Sequence, residues 1–288
     1  MSQYKIWFQG ATDRVEHAPY ISRVEPHLKA ILDPGFTGTF NTTTPPATTT
    51  HAVTEFRIAR NFIRNALEAE RQGYDAVAIT HFQDAGLAEA KSVLDIPVLG
   101  LGETTLFHAC TLGRKLGLVT INPAFIPWHE DQVTRYGLQQ RVIGVRAVDA
   151  RVSDFMEAFS SEEGYRRLYP KWERECRMLL DAGADVIVPA GGLPMMLYAA
   201  QPGANMDGAP IVNGITLIAK AAEMAIKLRK LSGTGVSRRS NFAKPPEKFA
   251  GGGEDAFIAV RDLGAERRAP RRQRRRGAGL RSNPDRRQ

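Results

Sequence analysis

The 288-residue chain contains only two cysteines, Cys110 and Cys176, and neither belongs to a CxxC pair or to another spacing typical of a zinc site. Two cysteines are also too few for the disulfide framework that holds many small secreted domains together. We therefore expect both to be reduced thiols that act as small packing residues on helices.

Long hydrophobic runs are missing as well. No apolar stretch reaches the roughly 18 residues that a membrane-spanning helix needs. The start, MSQYKIWFQGATD, lacks the basic region and the long apolar region of a signal peptide. We expect a cytoplasmic protein with no membrane partner.

Nucleotide-binding signatures are also absent. The segment GLGETT, which starts at Gly100, lacks the lysine of the GxxxxGK[ST] motif, and no GxGxxG motif follows the first apolar run. We therefore expect neither NAD nor ATP, and we expect no other cofactor and no metal.

The formal net charge of +8 is distributed unevenly. Fifteen Lys and Arg and only six Asp and Glu lie between Arg238 and Gln288, so residues 1–237 are nearly neutral. The Arg-rich end has no apolar periodicity and cannot bury enough surface to offset the entropy of ordering it. We expect residues 238–288 to be a disordered tail. Contact of this tail with nucleic acid is an alternative, because basic tails bind phosphate without sequence specificity.

Apolar runs alternate with amphipathic segments through the first 231 residues. Runs such as KIWFQG, DAVAIT and ADVIVP are typical of buried strands, and Thr54–Tyr74 has Phe56 and Phe62 at helical spacing on one apolar face. Continuous apolar strands separated by helices indicate parallel sheets covered on both faces. We predict an α/β fold with two β/α lobes, residues 1–125 and 126–237, and a closing helix that can return to the first lobe.

Ligands of open α/β sheets bind beyond the carboxyl ends of the strands, so the residues that follow the predicted strands are the site candidates. These candidates are Gln9, Gly10, His81, Phe82, Gln83, Thr120, Ala190, Gly191 and Gly192. Small residues in these loops let backbone N–H groups approach a carboxylate or an oxyanion. Among the candidates, only a histidine, with an ordinary pKa of about 6.5, exchanges protons readily at neutral pH.

Five segments occur in the order KIWFQG, DAVAITHFQDAGL, DIPVLGLGE, LGRKLGLVT and AGADVIVPAGGLPMM. This order resembles the aspartate/glutamate/hydantoin racemase superfamily, and most of all its hydantoin racemase-like branch, over Tyr4 to Leu231. The resemblance implies a cofactor-independent enzyme with two pseudo-symmetric β/α lobes and an active site in the cleft between them. It implies chemistry at a carbon next to a carbonyl. We expect a small-molecule substrate and a homo-oligomer.

In that family, a cysteine after one strand of each lobe exchanges the α-proton, and the two thiols act on opposite faces. The matching positions here hold His81 and Gly191, so the resemblance implies the scaffold without the two thiols. It implies that His81 is the main acid–base residue and that Gln9 and Thr120 contact the substrate. The expected reaction is racemase-like or isomerase-like, on a small carboxylate or cyclic amide.

Other functions stay open on the same scaffold. They are a decarboxylase, a lyase, a hydrolase or a binding protein without catalysis. A metal-assisted variant would use His81, Glu103, His108 and His129, although their spacing matches no known metal signature. Asp84 either orients the His81 imidazole or forms an ordinary turn, and Glu103 either has a function or simply favours a helix N-terminus.

Overall fold

The computed structural model describes residues 3–43, 45 and 51–245. These residues belong to one compact unit. The predictions of disorder and of nucleic-acid contact for residues 246–288 fall outside the described residues. Within the described ranges, no helix combines the length and the apolar character needed to cross a membrane.

Strands and helices alternate along the described chain. The strands are β1 (Tyr4–Gln9), β2 (Phe36–Asn41), β3 (Ala76–Ile79), β4 (Val98–Gly100), β5 (Leu116–Thr120), β6 (Val142–Ala147), β7 (Val186–Pro189), β8 (Asn205–Met206) and β9 (Ala209–Pro210). The α-helices are α1 (Ala18–Ile31), α2 (Ala52–Arg71), α3 (Leu87–Val93), α4 (Leu101–Leu112), α5 (Ile126–Arg135), α6 (Val152–Ser160), α7 (Glu162–Asp181), α8 (Gly192–Tyr198) and α9 (Gly214–Ser232).

Two parallel sheets form the framework of the fold. The first has the strand order β2-β1-β3-β4 and the second has the order β6-β5-β7. The central strands are buried along most of their length, because helices cover both faces of each sheet. The predicted α/β fold with parallel sheets is therefore confirmed.

One strand belongs to a different lobe from the one expected. The boundary at residue 125 would place β5 with the first sheet, but β5 lies at the centre of the second sheet, between β6 and β7. All five residues of β5 are buried. An apolar run indicates such a central strand, but it carries no information about which neighbours the strand pairs with.

The closing helix α9 returns to the first sheet, as the sequence allowed. It packs against α1, α4, β3 and β4. At its start, the Asn213 side chain accepts hydrogen bonds from the N–H groups of Ile215 and Thr216. Near its middle, the buried Glu223 carboxylate accepts a hydrogen bond from the N–H of Asp33, with an N–O distance of 2.7 Å.

The expected start of the disordered tail at residue 238 is wrong. Arg238 donates hydrogen bonds to the carbonyl oxygens of Lys91 and Leu94, at the end of α3. The Lys244 ammonium lies 2.6 Å from the Asp95 carboxylate. The last carbonyl groups of a helix have no acceptor role within the helix, and cationic side chains can bind them. The contacts of Arg238 and Lys244 therefore hold residues 238–245 against the first lobe.

Candidate active site

A cavity of about 540 Å³ lies at the carboxyl ends of strands from both sheets. The loops that follow five strands line it, together with the first turns of α1 and α2. These loops contribute residues 10–12, 80–83, 120–122, 150–153 and 190–194. Because the loops come from both sheets, the cavity is the cleft that the resemblance implied.

The structure brings eight of the nine candidate residues to the cavity wall. They are Gly10, His81, Phe82, Gln83, Thr120, Ala190, Gly191 and Gly192. Their contacts with a substrate stay predictions.

The ninth candidate, Gln9, does not line the cavity. Its side-chain oxygen accepts hydrogen bonds from Trp7 Nε1 and Asn65 Nδ2, each at 3.0 Å. Its amide nitrogen donates to the carbonyl oxygen of Gly10 and to Thr43 Oγ1, also at 3.0 Å. The Gln9 amide is thus buried and hydrogen-bonded at the end of β1, and its contact with a substrate stays a prediction that would require these bonds to break.

His81 is paired with a carboxylate in the cavity wall. Its Nε2 atom lies 2.9 Å and 3.2 Å from the two carboxylate oxygens of Glu55, in the first turn of α2. The two side chains are only 12% and 19% exposed, respectively. The Phe62 ring packs edge-on against the imidazole, with 5.9 Å between the ring centroids. These contacts fix both the position and the orientation of the imidazole.

The pair changes the proton affinity of both groups. Burial alone lowers the pKa of the His81 imidazole, but the Glu55 carboxylate and the nearby Asp84 outweigh this effect and hold the pKa above its ordinary value. Burial raises the pKa of the Glu55 carboxyl, yet the charge and hydrogen bond of His81 bring it below its usual range. The pair therefore favours an imidazolium beside a carboxylate, and His81 is a stronger proton acceptor than a free imidazole.

Sequence reasoning missed Glu55 because the apolar face that it assigned to α2 was rotated about the helix axis, so that it included Phe56 and left out Ile58. Phe56, expected on the apolar face, is 65% exposed, whereas Ile58 and Phe62 are fully buried. Glu55 precedes Ile58 by three residues and Phe62 by seven, so the three share one helix face. A carboxylate in line with the buried stripe was the signal that could have identified this residue.

The Gly191 loop has a conformation that requires glycine. Gly191 has φ 157° and ψ 150°, a region that other residues almost never adopt. Its N–H group donates to the carbonyl oxygen of Pro189 at 2.9 Å and is therefore not free to bind an anion. Gly192 and Leu193 begin α8 without a side-chain cap, and the first N–H groups of a helix have no acceptor within the helix. Of the two glycines expected to offer amides, Gly192 and not Gly191 therefore has an N–H group available.

Thr120 is held by a buried chain of hydrogen bonds. The Gln132 amide nitrogen donates to the carbonyl oxygen of Phe82, so its oxygen faces His129 Nδ1 at 3.3 Å. His129 Nδ1 must then carry the proton, which leaves Nε2 to accept one from Thr120 Oγ1 at 3.1 Å. Burial lowers the pKa of His129 to about 4, so this imidazole is neutral. His129 orients Thr120 and does not itself line the cavity.

Asp84 anchors the His81 loop to the neighbouring helices. Its carboxylate accepts hydrogen bonds from the N–H groups of Gly102 and Glu103 and from the Tyr136 hydroxyl, at 2.9, 2.7 and 2.6 Å. Among the described residues, this carboxylate makes no hydrogen bond to the His81 imidazole, although the Asp84 N–H group donates to the His81 carbonyl oxygen at 3.0 Å. Burial raises the pKa of Asp84 to about 6, despite these donors. Asp84 is therefore the cap of α4 and not the partner of the imidazole.

Replacing Asp84 with Ala should destabilise the fold strongly. The change leaves two N–H groups of α4 and the polar groups of Gln132 and Tyr136 without their acceptor in a buried region. We expect the free energy of unfolding to fall by about 3 kcal/mol, as measured by urea denaturation. Asp131→Ala, on an exposed position of α5, is the control and should change it by less than about 0.5 kcal/mol. Equal effects of the two changes would contradict this role of Asp84.

The structure does not gather the four residues of the alternative metal site. Glu103 pairs with the Lys91 ammonium at 2.6 Å, and His108 is exposed on α4. Within the described part of the chain, no group of three or more His, Cys, Asp or Glu side chains could hold a metal ion.

The two cysteines lie on helices, as expected. Cys110 lies on α4 and Cys176 on α7, and neither lines the cavity. Burial raises the pKa of the Cys176 thiol, which keeps this thiol protonated.

Residues 18–222 match the family model of Asp/Glu/Hydantoin racemase. The chain belongs to this family. It is 28% identical over 212 residues to the hydantoin racemase of Rhizobium meliloti. The aligned region covers 74% of this chain and 83% of that protein. The resemblance to the hydantoin racemase-like branch is thus confirmed, and the chain is a racemase-like enzyme.

Solved structures of the Asp/Glu/Hydantoin racemase family and its neighbours share the two-lobed fold. Allantoin racemase from Klebsiella pneumoniae superposes with a TM-score of 0.74 at 21% identity, and the match covers 88% of this chain and 99% of that one. A mutant of arylmalonate decarboxylase superposes with a TM-score of 0.52 at 14% identity, covering 82% and 98% of the two chains. At these identities the likeness establishes the fold only.

Proposed function

We propose that this enzyme moves a proton at a carbon next to a carbonyl of a small carboxylate or cyclic amide, with His81 as the principal acid–base residue. The observation that carries the proposal is the His81–Glu55 pair in the wall of the cavity between the two sheets. His81 follows strand β3 of the first lobe, at the position where the family resemblance implies an acid–base group.

The cavity suits a substrate of this class. A volume of about 540 Å³ accommodates a small ring or a short carboxylate, and small-molecule sites commonly fall in this size range. Arg151 lines the cavity and supplies a positive charge that favours an anionic group or an anionic intermediate. Relatives named hydantoin racemase and allantoin racemase support a cyclic amide as the first substrate to test.

In the proposed reaction, neutral His81 takes the α-proton and becomes an imidazolium, while the substrate becomes an enolate. The Glu55 carboxylate stabilises the imidazolium through its hydrogen bonds to Nε2. The negative charge of the enolate lies on oxygen, where nearby N–H and O–H donors bind it. Thr120 lines the cavity, but its single hydroxyl proton is directed to His129 Nε2 or to the Ala190 carbonyl oxygen, so its oxygen can accept a hydrogen bond from the substrate and does not donate one to the enolate.

Decarboxylation is the second candidate reaction, and the glycine at position 191 favours it. Gly191 has no side chain that could donate or accept a proton, whereas the part of the wall from the first sheet carries the His81–Glu55 pair. A site with one acid–base group protonates an enolate from one face, and this outcome suits a decarboxylase as well as a one-sided isomerase. The fold likeness to arylmalonate decarboxylase makes malonates the substrates to test for this reaction.

A panel of hydantoins, allantoin, small amino acids and malonates in deuterium oxide tests the proposal. Mass spectrometry should detect one deuterium at the α-carbon of at least one cyclic amide or carboxylate. Release of carbon dioxide from a malonate would select decarboxylation. Absence of exchange and of decarboxylation across all four classes would contradict the proposal.

A further inference from the structure

Tyr20, in the first turn of α1, carries a hydroxyl group that the active-site description has not used. The side chain is 2% exposed and lines the cavity. Its ring is held between Phe40 and Phe159, with centroid distances of 6.3 and 5.8 Å. Its hydroxyl makes no hydrogen bond to any residue within 3–43, 45 and 51–245.

The hydroxyl of Tyr20 faces the cavity, unlike that of Tyr198. The Tyr198 hydroxyl is enclosed by protein and has no partner among the described residues, and Tyr198 does not line the cavity. The Tyr20 oxygen is not enclosed in this way. A buried tyrosine usually finds a hydrogen-bond partner for its O–H group, so the open position suggests that a ligand supplies it.

The Tyr20 hydroxyl lies against the glycine loop of the second lobe. A Cβ atom at position 192 would lie 2.9 Å from the Tyr20 oxygen and 3.6 Å from the carbonyl oxygen of Thr80. Because glycine has no side chain, position 192 leaves room for the Tyr20 hydroxyl, which any larger residue would crowd. The residue beside it, Gly191, offers no side chain of its own. Tyr20 thus supplies a polar group to the cavity wall beside the Gly191–Gly192 loop.

We propose that the Tyr20 hydroxyl is a catalytic hydrogen-bond donor that binds the oxyanion of the enolate formed from a cyclic amide or carboxylate. This assignment rests on the substrate class of the proposed function. It adds a donor that stabilises charge as the charge develops, which is the most effective use of a fixed donor in catalysis.

The surroundings of Tyr20 keep it in the form that this role needs. Burial raises the pKa of the Tyr20 phenol above its ordinary value, so the O–H group stays protonated at neutral pH. Tyr20 is therefore a donor to the oxyanion and not a base.

Binding of two cyclic amides, one anionic and one neutral, tests the assignment. Barbiturate is a planar cyclic amide with a delocalised oxyanion at neutral pH, whereas 5,5-dimethylhydantoin is neutral. By calorimetry, Tyr20→Phe should weaken barbiturate binding about tenfold, the value of one charge-assisted hydrogen bond, and should change dimethylhydantoin binding less than twofold. Gly192→Ala should weaken barbiturate binding similarly, because the methyl group displaces the hydroxyl. Tyr198→Phe, the matched control, should change neither affinity.

The outcomes separate this assignment from the proposed function. Unchanged barbiturate affinity in Tyr20→Phe, or no barbiturate binding by the unaltered protein, would overturn the assignment, even if the protein exchanges α-protons. Tyr20-dependent barbiturate binding without any α-proton exchange would support the donor and contradict the proposed reaction. In turnover, Tyr20→Phe should lower kcat more than it raises KM, since the oxyanion forms only during the reaction.

Discussion

Replacing His81 with Asn should lower kcat/KM for the true substrate by a factor on the order of 10² to 10⁴, the usual contribution of a general acid–base residue. Asparagine keeps a polar side chain that can bond to Glu55, but it cannot exchange a proton at neutral pH. Steady-state kinetics on the substrate found in the deuterium panel would measure the loss.

His108→Asn is the control for this change. His108 is exposed on α4 and does not line the cavity, so its replacement should leave the rate unchanged. Near-normal turnover by the His81→Asn protein would show that another group carries the proton.

Replacing Glu55 with Gln should lower the rate by a factor on the order of 10² and should also move the pH profile. The base is the neutral imidazole of His81, so activity falls as the pH drops through its pKa. Glu55 holds that pKa above 6.5, and this acid limb should therefore lie above pH 6.5 in the unaltered enzyme. Without the carboxylate the limb should shift to lower pH, because burial then dominates and favours the neutral imidazole.

Glu68→Gln, on the exposed side of the same helix, is the matched control and should leave both the rate and the pH profile unchanged. An acid limb at the same pH in the Glu55→Gln and unaltered enzymes would mean that His81 and Glu55 do not act as a pair. Loss of rate without any shift would leave Glu55 with a structural role alone.

The sequence predicted those site residues whose position follows from a single strand and the loop after it. Apolar runs mark buried strands, and the residues that follow them in a parallel sheet meet at one edge. This reasoning placed His81, Thr120 and the Gly191 loop at the cavity wall. It did not predict the hydrogen bonds that hold Gln9, because these depend on partners from other elements, such as Asn65.

The parts that the sequence did not predict depend on contacts between distant elements. Glu55 reaches His81 across 26 residues, and only the rotation of α2 about its axis decides which residue points to the cavity. In the sequence, Tyr20 resembles any apolar residue on the buried face of α1. Only the packed structure shows that its hydroxyl lies beside Gly192. The pairing of β5 with the second sheet likewise follows from tertiary packing and not from its own apolar sequence.

Chemical rescue of a His81→Gly protein tests most directly whether an imidazole at this position transfers the proton. The substitution leaves space beside Glu55 for a free imidazole molecule from solution. Added imidazole should restore deuterium exchange at the α-carbon in a saturable manner, and substituted imidazoles should rescue in proportion to their basicity. An exchange rate that does not respond to imidazole, while the protein stays folded and binds the substrate, would contradict the central role of His81.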